Sequence, residues 1–295
     1  MGSNNLVQND QYYTKPDTVK RCLELLGSDM SKFEHIVEPS AGRGDFYNLL
    51  PPDKRIGLDI DPKAEGIIAL DFFDFDIRKR GPVLTIGNPP FGKNASLAQR
   101  FFEKAATFSD IIAFILPRTF RKPSMVNRLN RQFHLVKNVL LDKESFYIDV
   151  GNGPEDYSVP CAFQVWAKNT KSLGHDTPSW ARENIAREPI DELERHGDFS
   201  YVEAEEADFA IRRVGAHAGK VFIADVAGLS KASHYFIKSN ALGVAMIFAR
   251  AWENKWSPSA DPDETGTKYD TAGNPSLSKP ELVHAYVEYK EKSEQ

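Results

Sequence analysis

Val83-Leu84-Thr85-Ile86-Gly87-Asn88-Pro89-Pro90-Phe91 is the stretch on which the chain turns. The apolar run Val83 to Ile86 reads as a buried strand. Two consecutive prolines have no N–H group and a φ held at about −65°, so the backbone must leave the sheet there. The Asn88 side chain and the Pro89 carbonyl are then free to face a ligand. Phe91 adds a ring, and Gly92 lets the chain turn away. Two hydrogen-bond acceptors beside one stacking surface suit an aromatic amine. Taken by themselves, the same residues could equally end a strand and place Phe91 in a core, so the flanking sequence has to decide.

Working outward, apolar runs recur at a steady interval. Upstream lie His35-Ile36-Val37, then Ile56-Gly57-Leu58-Asp59-Ile60, then Ile67-Ile68-Ala69-Leu70. Downstream lie Asp110 to Leu116, Val136 to Leu141 and Cys161 to Trp166. Helical spacing appears in Val19, Cys22, Leu23 and Leu26, opened by Pro16 and closed by Gly27, and again in Leu97, Phe101, Ala105 and Phe108. Strands alternating with helices predict an α/β fold, a doubly wound and mostly parallel seven-stranded sheet of the Rossmann-like type. Ligands of such sheets bind beyond the strand C-termini. Glu38, Asp59, Asp71 and Asn88 all fall at or just past those ends, and so line up along one edge.

The 295 residues allow one large domain, or a main domain and a smaller one. Composition shifts near residue 172, which predicts a catalytic domain over 1–172 and a C-terminal α+β recognition region over 173–295. In the latter, a helix is expected near Ile190 to Arg195, a strand at Tyr235-Phe236-Ile237, a helix over 240–252 and a long loop from Asn254 to Pro280. Apolar content of 41% and charged content of 27% are those of an ordinary globular protein. The net charge of −5 does not exclude a nucleic-acid partner, because a local basic face matters more than the total. Cys22 and Cys161 make no disulfide or metal pattern, so a reducing, cytoplasmic setting and no metal are expected. No run reaches transmembrane length, and no membrane partner is expected.

Glu38-Pro39-Ser40-Ala41-Gly42-Arg43-Gly44 is a glycine loop after a strand. The third glycine of the dinucleotide fingerprint is missing, since Tyr47 stands three residues beyond Gly44. There is also no Lys-Ser/Thr for a triphosphate. The loop suits a nucleoside whose tail is not a pyrophosphate, with Asp59 able to accept both ribose hydroxyls. S-adenosylmethionine fits. Each residue has a plainer reading on its own: Asp59 or Asp61 as a helix cap, Phe72 and Phe73 as core, Glu38 as an ion-pair partner. Their joint order is the informative signal.

In that order, residues 11–168 resemble the class I S-adenosylmethionine-dependent N6-adenine methyltransferases of the Asn-Pro-Pro-Phe type, in the gamma-like motif order with a helix before the glycine loop. The resemblance implies that Thr14 contacts the methionyl carboxylate, and that Glu38, Gly42 and Gly44 surround the methionine. It implies that Asp59 binds the ribose, that Asp71 and Phe72 read the cofactor adenine, and that Asn88, Pro89, Pro90 and Phe91 are catalytic. It also places a second aromatic between the last two strands, for which Phe146 is chosen, with a core role as its alternative.

An adenine amine is a poor nucleophile because its lone pair is delocalised into the ring. Acceptors from Asn88 and Pro89 would draw that nitrogen towards tetrahedral geometry without any residue of tuned pKa. The base must leave its stack to get there. Arg118, Arg121, Lys122, Arg128, Arg131 and Lys137 form one acid-free basic run, and 211–238 form another with Asp225 alone opposing. Such runs are commonly solvated faces, yet they are where a phosphate backbone would be met, with Arg118 and Arg121 nearest the site. The expected reaction is N6-adenine methylation of DNA; the alternatives are the same reaction on RNA, and a non-catalytic S-adenosylmethionine-binding subunit. The Phe after Asn-Pro-Pro argues against a protein-glutamine substrate.

Overall fold

The computed structural model describes residues 12–78, 80–142, 144–149, 153–168, 175, 177–179, 181–183, 197–256 and 275–294. These divide into two compact units, residues 1–121 with 125–184, and residues 122–124 with 185–295.

The first unit holds the expected sheet. Its strands are β2 (His35–Pro39), β3 (Arg55–Asp59), β4 (Ile68–Ala69), β5 (Val83–Gly87), β6 (Ile111–Pro117), β7 (His134–Leu140) and β10 (Cys161–Ala167), in the order β4-β3-β2-β5-β6-β10-β7. The pairs β4·β3, β3·β2, β2·β5 and β5·β6 are parallel, and β10 runs antiparallel between β6 and β7. Strands β5, β6 and β10 are buried along their whole length, which is why they read as unbroken apolar runs. The chain leaves β2 to build β3 and β4 on one side, then returns to build β5 and β6 on the other. The crevice between the C-terminal ends of β2 and β5 is therefore the switch point of the sheet.

Helix α1 (Pro16–Leu26) begins at its proline and ends at Gly27 in the left-handed conformation, φ 65°. Helix α2 (Ser96–Ala106) follows β5 and buries Ala98, Phe101, Phe102 and Ala105. These faces share one core with the sheet, in which Phe102 sits edge-on to both Phe133 and Trp166. The crossovers β2–β3 and β4–β5 carry only 3-10 turns, Tyr47–Leu49 and Phe72–Asp74.

The stretch between β7 and β10, from which Phe146 is chosen, contains two further strands. β1 (Tyr13–Thr14), β8 (Phe146–Asp149) and β9 (Pro154–Tyr157) form a second, antiparallel sheet. Tyr13 pairs with Tyr147 and Thr14 with Phe146. β8 and β9 pair antiparallel, from Phe146 opposite Tyr157 to Asp149 opposite Pro154.

In the second unit, β11 (Phe199–Tyr201), β12 (Phe209–Arg212), β13 (Val221–Phe222) and β14 (His234–Ser239) form an antiparallel sheet ordered β11-β14-β12-β13. Its core joins Phe199, Phe209 and Ile211 to Phe248 of α3 (Val244–Ala251) and to Tyr286 of α4 (Lys279–Glu294). The strand expected at 235–237 and the helix expected over 240–252 are therefore present, the helix running on into a π-helical turn, Trp252–Trp256. The helix expected near Ile190 lies outside the described residues, as do residues 257–274 of the expected loop. That loop ends earlier than expected, because Lys279 and Pro280 open α4. Both cysteines are free and buried. Among the described residues there is no cluster of metal-ligating side chains, and no helix long and apolar enough to cross a membrane.

Candidate active site

A cavity of about 730 Å³ opens at the switch point and lies wholly within the first unit. Successive strand ends supply part of its polar lining, with Glu38 from β2, Asp59 from β3, Asp71 after β4 and Asn88 after β5. Thr14, Gly42, Phe72, Pro89 and Pro90 line it as well. Five carboxylates (Glu38, Asp45, Asp59, Asp61, Asp71) face it against two cations, Lys63 and Arg100. A cationic ligand is favoured by that balance.

Asp59 organises one wall. Its Oδ2 accepts the Gly42 N–H at 2.7 Å and its Oδ1 accepts the Asp61 N–H at 2.8 Å. A carboxylate has about four lone-pair sites, so a pair of ribose hydroxyls can still be accepted. Beside it, Ile60 lines the cavity while remaining 77% exposed. A large apolar side chain left open next to a carboxylate can cover the flat face of a ring. Asp71 caps the 3-10 turn through Phe73 N–H at 2.9 Å, and Phe72 stacks on Phe101 with 5.2 Å between centroids. Ile60 carried no sequence signal beyond its place after a strand-terminal acid.

Glu38 forms the floor and is 3% exposed. Burial pushes its carboxyl well above the ordinary range; the backbone amides of Tyr47 and Phe46 oppose this, and the nearby Asp45 and Asp59 add to it. Its Oε2 is buried without a protein partner. An ammonium group on a ligand would satisfy that oxygen and favour its ionised form. The sign for folding follows: the native state holds a proton there that the unfolded chain has released, so this group lowers stability as pH rises above the ordinary carboxylate range. For ligand binding the sign is opposite. The affinity for a cationic amine should rise with pH across the window above the ordinary carboxylate range, and Glu38→Gln should flatten that rise. Calorimetric titration of the cofactor at several pH values checks this; a slope equal in both proteins would show that Glu38 does not hold the amine.

Asn88 lines the cavity from the end of β5. Its Nδ2 donates to Thr14 Oγ1 at 3.2 Å, while its Oδ1 is buried without a protein partner. Thr14 is itself fixed, because its N–H donates to Asp45 Oδ2 at 3.1 Å and its side chain is 2% exposed. The prolines behind it have no N–H to turn inward.

Tyr12 also lines the cavity. It is stacked on Tyr157 at 5.7 Å and meets Phe91 and Phe146 edge-on at 5.3 and 5.4 Å. Phe91 is 8% exposed and Phe146 is fully buried, and neither lines the cavity. Phe146 thus takes the core position that was its alternative, paired with Thr14, and Tyr12 is the ring of this cluster that lines the cavity. The signal for Tyr12 was its place two residues before Thr14, on the same side of a short strand.

Gly44 stands one step back, at φ 82°, where an added Cβ would lie 2.9 Å from Asn48 Nδ2. Arg118 and Arg121 follow β6 in a 3-10 turn but do not line the cavity. Arg118 takes the Pro160 carbonyl through its backbone N–H, and its Nε is buried without a partner. In the same basic run, Arg131 Nε donates to the Arg182 carbonyl at 2.8 Å, a structural use of its charge.

No family model matches this chain, and no curated protein matches it. Among solved structures, a Pyrococcus horikoshii protein described as an RNA methyltransferase is similar at 20% identity and TM-score 0.40, covering 54% of this chain and 88% of that one. The 23S rRNA methyltransferase ErmE is similar at 15% identity and TM-score 0.38, over 63% of this chain and 75% of that one. A precorrin-6y C5,15-methyltransferase of Geobacter metallireducens reaches 12% identity and TM-score 0.32, over 57% of this chain and 94% of that one. Values this low transfer neither substrate nor cofactor.

Proposed function

We propose that this chain transfers a methyl group from S-adenosylmethionine to the N6 amino group of adenine in DNA, with the base flipped into the cavity. The observation that carries the proposal is the Asn88 carboxamide: its oxygen is a buried acceptor without a protein partner, in one cavity with Glu38, Asp59 and Asp71 at the switch point. The residues fit the cofactor. Asp59 would take the ribose and Asp71 with Phe72 the adenine. Glu38, Thr14, Gly42 and the Gly44 turn would surround the amino-acid tail.

Bound there, S-adenosylmethionine supplies an electrophilic methyl: the amine lone pair forms the N–C bond as the C–S bond breaks, the electron pair stays on sulfur, and one amine proton leaves to solvent. Asn88 Oδ1 and the Pro89 carbonyl accept the two N–H groups of that amine. This orients its lone pair and stabilises the charge that develops on nitrogen. Phe91 and Phe146, being buried, support Tyr12 as the ring beside the base. No side chain of shifted pKa is required.

We assign target recognition to residues 173–295. Of the cations there, Lys231 is neutralised by Glu203 at 2.7 Å, and Arg213 and Lys220 lie over Tyr235 and Phe222. Lys238 is exposed on β14, free to meet a phosphate. Tritiated methyl transfer to duplex DNA, single-stranded DNA and RNA oligomers tests the proposal. Label in DNA is expected; label in RNA alone would replace the polymer, and label in none would leave a non-catalytic cofactor-binding subunit.

A further inference from the structure

A carboxamide is nearly symmetric in shape, yet only one of its two orientations can serve the proposed reaction. With Oδ1 towards the target it accepts an amine N–H. Turned over, it presents its own N–H groups and repels the amine. What holds it the right way is therefore a functional question.

The Asn88 Nδ2 donates to Thr14 Oγ1 at 3.2 Å. A threonine hydroxyl both donates and accepts, so by itself it satisfies either orientation of the amide. The choice depends on where the hydroxyl hydrogen goes. Among the described residues, no acceptor is bonded to that hydrogen apart from the Asn88 amide itself. Thr14 cannot swing away to find one: it is 2% exposed, paired with Phe146 across the sheet and tied through its N–H to Asp45 Oδ2 at 3.1 Å.

Thr14 does line the cavity. In the site proposed above, Asp59 and Asp71 hold the nucleoside end, so the amino-acid tail lies at the Glu38, Asp45 and Thr14 end. The ammonium of that tail is served by the carboxylates there. Its carboxylate needs donors, and the Thr14 O–H is one.

We propose that Thr14 is a positioning residue that locks the Asn88 carboxamide in its productive orientation when a ligand carboxylate takes the Thr14 hydroxyl hydrogen. With the hydrogen drawn towards the ligand, Oγ1 can only accept from Asn88 Nδ2, and Oδ1 must face the target. The two hydrogen bonds run in one direction and strengthen each other. The cofactor tail and the target base are thereby coupled through one hydroxyl, and the coupling is reciprocal. This inference rests on the proposed cofactor and target.

The test measures binding rather than turnover. Affinity for a fluorescent adenine-containing oligonucleotide, of the polymer that accepts label, is measured alone, with saturating S-adenosylhomocysteine, and with saturating 5′-methylthioadenosine. The last has the nucleoside and thioether but no amino-acid tail. In the parent protein, S-adenosylhomocysteine should tighten oligonucleotide binding by about fivefold or more, and methylthioadenosine should not. Thr14→Val, nearly the same in shape, should lose the enhancement and lower kcat more than it raises the oligonucleotide KM. Thr14→Ser should restore both, which a merely steric role would not predict. Equal enhancement by the two nucleosides, or full enhancement in Thr14→Val at saturating ligand, overturns the coupling. A parent protein that binds neither nucleoside removes the cofactor reading itself, and the coupling with it.

Discussion

Asn88→Ala should reduce methyl transfer by about 10²- to 10³-fold while cofactor affinity stays within about twofold. The loss is large because the carboxamide supplies one of two acceptors fixed where charge develops, in a site that needs no other chemical group. An amine held by one acceptor keeps much of its lone pair in the ring and points it poorly at the methyl. In the proposed site Asp59 and Asp71 hold the nucleoside end of the cofactor from other strands, and Asn88 meets the tail only through Thr14, so the affinity has little reason to change. Folding should also change little: Asn88 follows β5 and is only half-buried, and its one protein bond, to Thr14 at 3.2 Å, is a side-chain contact. The measurement is single-turnover methyl transfer beside calorimetric cofactor titration. Transfer at the parent rate would remove Asn88 from the reaction, and lost cofactor binding would recast it as part of the cofactor pocket.

The sheet was readable because its strands are buried. A strand covered on both faces must be apolar throughout, as in β5 and β6, and its polar C-terminal neighbour then falls where ligands bind. That logic places Glu38, Asp59, Asp71 and Asn88 together, and all four line the cavity. The antiparallel sense of β10 was not readable, since an apolar run has no direction. Nor was the pairing of residues 13–14 with 146–147, a contact across more than a hundred residues that no local pattern encodes. It decides which aromatic ring reaches the cavity: pairing with Thr14 buries Phe146, while Tyr12 is left half-open at the cavity. Helix α4 escaped for a different reason. Its apolar residues do not form a single clean stripe, with Leu282, Val283, Ala285 and Tyr286 all buried on a helix that follows a loop-like composition. The basic run 117–138 shows the limit of counting charges, because Arg131 answers to a carbonyl within its own unit.

Gly92→Ala should lower the melting temperature of the unit by about 5 to 15 °C and cut kcat by about 10- to 100-fold at temperatures where it stays folded. Gly92 has φ 67° and ψ 178°, a region that residues with a Cβ occupy only under strain. An added Cβ would also lie 2.7 Å from Leu97 Cβ and 3.2 Å from Leu97 N. Neither neighbour can give way cheaply. The Leu97 and Ala98 amides both donate to the Phe91 carbonyl, at 3.0 and 3.2 Å, which ties the start of α2 to the end of the tetrapeptide. The backbone strain and the overpacking together cost about 2 to 4 kcal/mol. Relief has to come from moving Phe91, and Phe91 packs against Tyr12 at 5.3 Å, so the displacement is passed to a ring that lines the cavity. Cofactor affinity should be nearly unaffected, because Asp59 and Asp71 are on other strands. Thermal unfolding and kcat, measured on the same preparation, separate the two effects. A parent-like melting temperature would show that the turn relaxes without strain; a parent-like kcat in a destabilised protein would show that the turn stabilises the unit without placing Asn88, Pro89 and the target.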